Sequence, residues 1–213
     1  MNASLAERLR TETRDLHRAA ERSAFMDALM SGRMQRSIYC ALLRNLHAIY
    51  VVLEPALERH AAHRLIAPVL LPALWRTSAL EHDLRALSGA NWSDASTLKP
   101  ATVTYVARLR QLDSTQPGLL LAHAYVRYLG DLSGGQMLRR VVAKSESLDG
   151  AAAIAFYDFG DALAVRELTQ RFRSGLDAAP MADGTASTLV EEARFGFVLH
   201  RQLFDELLPA VGP

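Results

Sequence analysis

Cysteine is almost missing: Cys40 stands alone in 213 residues. A single thiol excludes a disulfide framework and any metal centre built on cysteine clusters. Lysine is nearly as scarce, with only Lys99 and Lys144, so the basic residues are almost all arginine. Formal net charge is only +1, which leaves no bulk positive field to hold a nucleic-acid backbone. No unbroken apolar run reaches the roughly 18–20 residues of a membrane span. The N-terminus lacks the apolar core of a signal peptide, and the chain closes on LLPAVGP without an apolar tail. These absences predict a cytoplasmic protein with no membrane anchor. No stretch alternates apolar and polar residues as a half-buried strand would. Internal repeats, low-complexity segments and the glycine fingerprint of a dinucleotide site are also missing.

What is present is a helical pattern. Half of the residues are hydrophobic, enough over this length to bury one sizeable core. We read residues 1–213 as a single all-α domain of about seven to eight helices. Ser4-Leu5-Ala6-Glu7 has the form of a capping box. It opens a first helix whose apolar stripe is Leu5, Leu9, Leu16, Ala20 and Ala24, with His17 beside the stripe. A second long helix is expected over about 37–59, with Pro55 kinking its end. Others follow over about 72–87, from Pro100 to Leu112, and over about 119–144. A short Ala-rich piece lies at 149–159. Asp161 is placed to cap a helix to about Leu176, and Ser187 to cap the last one, to Leu208.

The segment Tyr128–Gln136, YLGDLSGGQ, departs from this ordinary pattern. It sets Gly130, Gly134 and Gly135 inside a helix, where each glycine costs roughly 1 kcal/mol. Two readings offset that cost. Gly130 and Gly134 form the small-xxx-small spacing of a tight helix crossing. Alternatively, a kinked, bare backbone lets a flat ligand approach. The Gly-Gly pair and the embedded Asp131 favour the ligand. Among seven histidines, His17 stands out, because Glu21 one turn later can hold its second ring nitrogen as a ligating imidazole requires. His60 and His63 have metal-pair spacing but no evident third ligand.

YLGDLSGGQ resembles the distal-helix signature of haem oxygenases. TETRDLHRAAERSAFM (Thr11–Met26) is similar to the family's proximal helix. HAIYVVLEPAL, ALEHDL, LLLAHAYVRYLGD and RQLFDELL match further segments in the family's order, from about Leu5 to Leu208. The resemblance implies an all-α fold with haem sandwiched between a proximal first helix and a glycine-kinked distal helix. It implies His17 as the iron ligand, with Glu21 behind it. It places Tyr50, Arg127 and Asp131 on a distal water network, and Gly130, Gly134 and Gly135 against the haem. Arg10, Arg14, Arg166 and Tyr125 match the propionate edge, and Phe197 lines the pocket with Phe204, Met26 and Leu29.

This chain departs from the family pattern at His200, where an Asn is frequent, and at Gln170, where a basic residue is, with Arg171 and Arg173 close by. The implied reaction is oxidative cleavage of haem to biliverdin, ferrous iron and carbon monoxide. It uses dioxygen and electrons from an external donor, a ferredoxin or flavoprotein reductase. A haem carrier or store without turnover is the alternative.

Overall fold

A run of apolar residues at three- and four-residue steps makes Arg36–Arg59 the central helix. We number the α-helices α1 Leu5–Glu12, α2 Arg14–Glu21, α3 Ala24–Met30, α4 Arg36–Arg59, α5 Thr77–Ser88, α6 Pro100–Thr115, α7 Leu120–Ala124, α8 Gly130–Lys144, α9 Ala162–Ala178 and α10 Thr185–Leu207. The computed structural model describes residues 3–93, 97–145, 148 and 153–208, and no strand occurs among them. Counting α1–α2 and α7–α8 each as one interrupted helix gives eight helices among the described residues, as the sequence pattern predicts.

Leu42, Leu46, Ile49, Leu53 and Leu57 of α4 are buried, with Ile38 partly so. The helix continues through Pro55 to Arg59. In length and hydropathy α4 matches a membrane-crossing helix, yet 61% of its most apolar window is buried inside the protein. Its apolar surface serves the core, packed against α5 and α6.

Four local expectations are corrected. The first helix stops at Thr13 and restarts: Thr13 Oγ1 donates back to the Leu9 carbonyl at 2.6 Å. Such back-bonding competes with the regular ladder and bends helices. The interruption of the distal helix is not at the glycines, which lie in regular α-helix. It lies just before them, where Tyr125–Leu129 winds as a wider π turn, a form frequent at functional sites. The fifth helix begins at Thr77, because Pro72–Leu74 forms a 3₁₀ turn of its own. The last helix begins after Gly184, whose φ of +79° suits glycine. Ser187 lies inside that helix and accepts from Arg8 at 3.2 Å.

The Ser4 and Asp161 caps form as expected, accepting from the Glu7 and Ala164 amides. Of the Ala-rich 149–159 piece, residues 149–152 lie outside the described residues. Residues 153–159 run as an irregular strap. In the 91–98 connection, 94–96 likewise lie outside them.

Candidate functional site

Two walls face each other. α2 supplies one, the π turn and α8 the other, and α10 closes one side. The inner lobe between them encloses about 780 Å³ of space, part of it open to solvent. His17, Glu21, Met26, Leu29, Gly130, Asp131, Gly134, Phe197, His200 and Phe204 all border it. The adjoining outer lobe is bordered by Arg10, Thr13, Arg14, Tyr125 and Arg173. His17, Gly130 and Phe197 border both lobes, so the two make one slot.

On the α2 wall, His17 Nδ1 lies 3.5 Å from Glu21 Oε2. That contact leaves Nε2 free to coordinate. The His17 ring meets Phe197 edge-on, centroids 5.8 Å apart. The side chains of His17 and Glu21 are half-open to the slot and solvent.

On the opposite wall the glycines divide by face. A Cβ built on Gly130 meets nothing within 4 Å, and one on Gly134 meets only Leu138 at 3.8 Å. Both border the slot. Gly135 does not: its added Cβ would lie 3.6 Å from the Tyr157 carbonyl oxygen. It therefore packs against the strap, and the close backbone approach to the slot belongs to Gly130 and Gly134 alone.

Asp131 sits at the centre of a buried polar cluster. Tyr50 donates its hydroxyl to Oδ2, and Arg127 Nη2 donates to Oδ1 at 2.7 Å. Arg127 Nε donates to the Tyr50 oxygen at 3.3 Å. Arg127 Nη1 stands 3.3 Å from both ring nitrogens of His200. Burial raises the Asp131 carboxyl above the ordinary carboxylate range, against the pull of Arg127 and Tyr50. Burial works against the charge on Arg127, but Asp131 and the neighbouring tyrosines outweigh it and push the guanidinium up. Burial drives the Tyr50 hydroxyl well up, so it stays protonated and donates. Burial and the Arg127 charge drive His200 well below the usual imidazole range, leaving it neutral.

Phe156 and Tyr157 bring the strap to the same inner lobe. Asp83 of α5 fixes the strap, accepting from the Ala155 and Phe156 amides at 3.0 and 2.8 Å. Arg76 donates to the Asp158 carbonyl at 3.0 Å and lies 4.0 Å over the Phe159 ring. Asp83 and Arg76 are buried, so the back of the slot is tied by buried charged groups, which are costly to leave without partners.

The outer lobe holds Arg10 and Arg14 as the sequence reading expected, but Arg166 is exposed on α9 and borders neither lobe. Arg173, two turns further along α9, takes that place. Arg166 and Arg173 share a helix face, being seven residues apart, so which of them reaches the slot depends on where along α9 the helix is docked. Tyr125 borders the lobe with its hydroxyl 3.4 Å from Thr13 Oγ1. Because Thr13 already donates to Leu9, Tyr125 is the donor.

Met26, Leu29, Phe197 and Phe204 line the inner lobe as expected. His60 is paired instead with Asp113, Nε2 to Oδ1 3.0 Å. Among the described residues no cluster of three or more His, Cys, Asp or Glu could hold a metal ion.

The slot's chemistry is that of a flat, mostly apolar guest with an acidic rim. One wall offers a backed imidazole. The other offers bare backbone and a caged carboxylate. Arginines stand at the mouth.

Comparison with known proteins agrees. The family model described as Heme oxygenase matches residues 3–206. The chain is 35% identical over 207 residues to "Heme oxygenase 1" of Nostoc sp., covering 97% of this chain and 87% of that one. Its fold is similar to a crystal structure of heme oxygenase-2 from Synechocystis sp. in complex with heme and NO. That match has TM-score 0.91 and 35% identity, and covers 96% of this chain and 85% of the other. It is also similar to the structure of heme oxygenase from Leptospira interrogans, with TM-score 0.88, 37% identity and coverage of 96% and 100%. The chain belongs to the heme oxygenase family.

Proposed function

We propose that this protein cleaves haem to biliverdin, ferrous iron and carbon monoxide, with dioxygen and electrons from a separate donor protein. The observation that carries the reading is the pairing of walls. His17, backed by Glu21 at 3.5 Å, faces a helix whose Gly130 and Gly134 leave open space where side chains would stand. A planar macrocycle fits such a slot, and a helix bundle without a ligand has no reason to keep it. His17 would hold the iron. Glu21, 3.5 Å from Nδ1, is placed to fix the imidazole tautomer by accepting from that nitrogen. Arg10, Arg14 and Arg173 give the mouth a positive rim for two carboxylate side arms. When bound, haem supplies the iron that activates dioxygen and is itself the molecule cleaved.

The protein's own part is position and proton supply. Asp131 is caged by Tyr50 and Arg127, so its carboxylate is held at the slot's edge as a hydrogen-bond acceptor for water. A network of ordered water anchored in this way can deliver protons without a strong acid reaching the iron directly. Met26, Leu29 and Phe204 keep the rest of the lobe apolar. No nucleotide fingerprint is present in the sequence, which is why the electrons are assigned to an external ferredoxin or flavoprotein.

The test is an absorbance time course of the hemin complex under a chemical reductant, with catalase present, followed by mass spectrometry of the pigment. Loss of the Soret band with a biliverdin mass is expected. A stable Soret band under every reductant would make the protein a haem carrier. No Soret shift on adding hemin would end both readings.

A further inference from the structure

The helix that carries His17 is held only weakly by packing. α2 has eight residues, and an isolated helix is marginal in water even at about 12–15. Of those eight described residues, Ala20 alone is buried, and Leu16 packs partly buried against the core. α1 before it is better anchored: Leu5 and Leu9 are buried, and Asp177 accepts from the Ala6 amide at 2.9 Å. The break at Thr13 separates α2 from that anchor. It also creates an extra helix end, whose carbonyls lack ladder donors. Glu12 closes α1, and its carbonyl accepts from Arg194 Nη1 at 2.6 Å. At the end of α2 the Ser23 amide, which would continue the ladder to Ala19, bonds to the Ala20 carbonyl at 3.1 Å. The Ala19 carbonyl accepts from Arg201 Nη1 at 2.7 Å. Asp205, one turn on, steadies that guanidinium: both its oxygens accept from Arg201 Nε, at 3.0 and 3.1 Å. Arg194 and Arg201 are seven residues apart and share one face of α10. Phe197 lies between them and meets His17 edge-on.

We infer that Arg194 and Arg201 are positioning residues for His17: they clamp the broken proximal helix at Glu12 and Ala19, on either side of His17, and so fix the direction from which its imidazole enters the slot. A cation at the C-terminal end of a helix is also favoured by the helix dipole, so each arginine stabilises the end it touches. Neither arginine borders the slot; both act only through α2. With so little packing on α2, loss of the two ties lets it pivot at Thr13 and fray at Ala19, and the imidazole moves with it. The consequence for the iron rests on the reading of His17 as its ligand, but the clamp itself concerns the protein without ligand.

The experiment compares the parent with the double variant Arg194→Met, Arg201→Met, which removes both donors and keeps the apolar stems. A second double variant, Arg194→Lys with Arg201→Lys, keeps a cationic donor at each place. Should the Met variant fail to fold, Arg201→Met alone replaces it. The first readout is amide hydrogen exchange of the ligand-free protein over Arg14–Glu21, with α4 as the internal reference. Two hydrogen bonds of ordinary net worth together slow opening by about tenfold. The Met variant is therefore expected to exchange about tenfold faster over α2 with α4 unchanged, and the Lys variant to recover most of that protection. The second readout is resonance Raman of the hemin complex under a reductant. Its iron–imidazole stretching band is expected to shift or broaden in the Met variant and to return toward the parental band in the Lys variant. Parental exchange over α2 in the Met variant would overturn the proposal. So would an acceleration spread equally over α4, because that is a general loss of stability. Faster α2 exchange with a parental band would overturn the positioning of His17. If the parent itself shows no iron–imidazole band, the His17 reading fails, and the exchange comparison still decides whether the clamp exists.

Discussion

Replacing Gly130 and Gly134 together by alanine separates the slot's function from the fold's stability. Both lie in regular helix, where Gly→Ala gains roughly 1 kcal/mol each. A methyl at Gly130 meets nothing within 4 Å, and at Gly134 only an ordinary contact of 3.8 Å to Leu138. Nothing in the protein opposes the substitution, so the gains add to about 2 kcal/mol. At about 2–4 °C per kcal/mol for a chain of this size, the ligand-free double variant is expected to melt about 4–8 °C higher than the parent. Gly175→Ala serves as the opposite control. Its methyl would stand 2.1 Å from the Pro68 carbonyl oxygen, a backbone atom that cannot swing aside, and the protein should be destabilised.

In the slot the sign reverses. Two methyl groups project where a flat guest would lie, and hemin affinity should fall at least tenfold, about 1.4 kcal/mol. Calorimetry or thermal melts with and without hemin read both effects. Unchanged hemin affinity in a stabilised double variant would refute the reasoning that this bare backbone faces the ligand. A lowered melting temperature would show that the helix itself requires glycine there.

Asp131→Ala should lower biliverdin formation by about 10²–10⁴-fold, the range of positioned acid–base groups. Hemin affinity should stay within about tenfold, because the carboxylate's partners are Tyr50 and Arg127; rate assays beside titrations check this. Arg173→Ala should change the ratio of biliverdin isomers seen by chromatography, whereas Arg166→Ala should not, since only Arg173 borders the slot. The effect of either on affinity should be small, as exposed ion pairs are worth about 0–1 kcal/mol.

A further prediction concerns pH. Burial alone would raise Glu192, but hydrogen bonds from Arg108 and His123 outweigh it and hold its carboxyl at about 2, against an ordinary 4.5. A depressed carboxyl stabilises the fold above its unfolded value, and that stability disappears as pH falls from about 4.5 to about 2. The difference corresponds to on the order of 3 kcal/mol. Denaturant midpoints of Glu192→Gln should therefore be lower than the parent's at neutral pH and should converge on them at the acid end.

Much of the fold was legible because helical spacing writes itself locally. Leu42, Leu46, Ile49, Leu53 and Leu57 point inward in α4 as their spacing says. The Ser4 and Asp161 caps form from short-range chemistry. What stayed hidden depends on tertiary contact. The π turn over Tyr125–Leu129 has no periodic signature, and the helix could as well have been interrupted at its glycines. Thr13 reads as one more helix residue until its hydroxyl is seen returning to Leu9. Gly135 looks equivalent to Gly134 in sequence, but one helix step of about 100° turns it from the slot to the strap. Arg166 and Arg173 could be told apart only once α9 was docked. The strap's anchors, Asp83 and Arg76, carried no sequence signal beyond being charges beside apolar helix positions.

His17 is the group proposed to hold the iron, and His17→Ala is the decisive substitution. The His17 side chain is half-open to the slot and solvent, so its loss should leave the ligand-free protein folded with a near-parental melting temperature. The hemin complex should lose the spectrum of a histidine-ligated haem together with nearly all biliverdin formation, and added imidazole should restore part of both by filling the vacated space. Parental spectra and parental biliverdin formation by His17→Ala without imidazole would contradict the account.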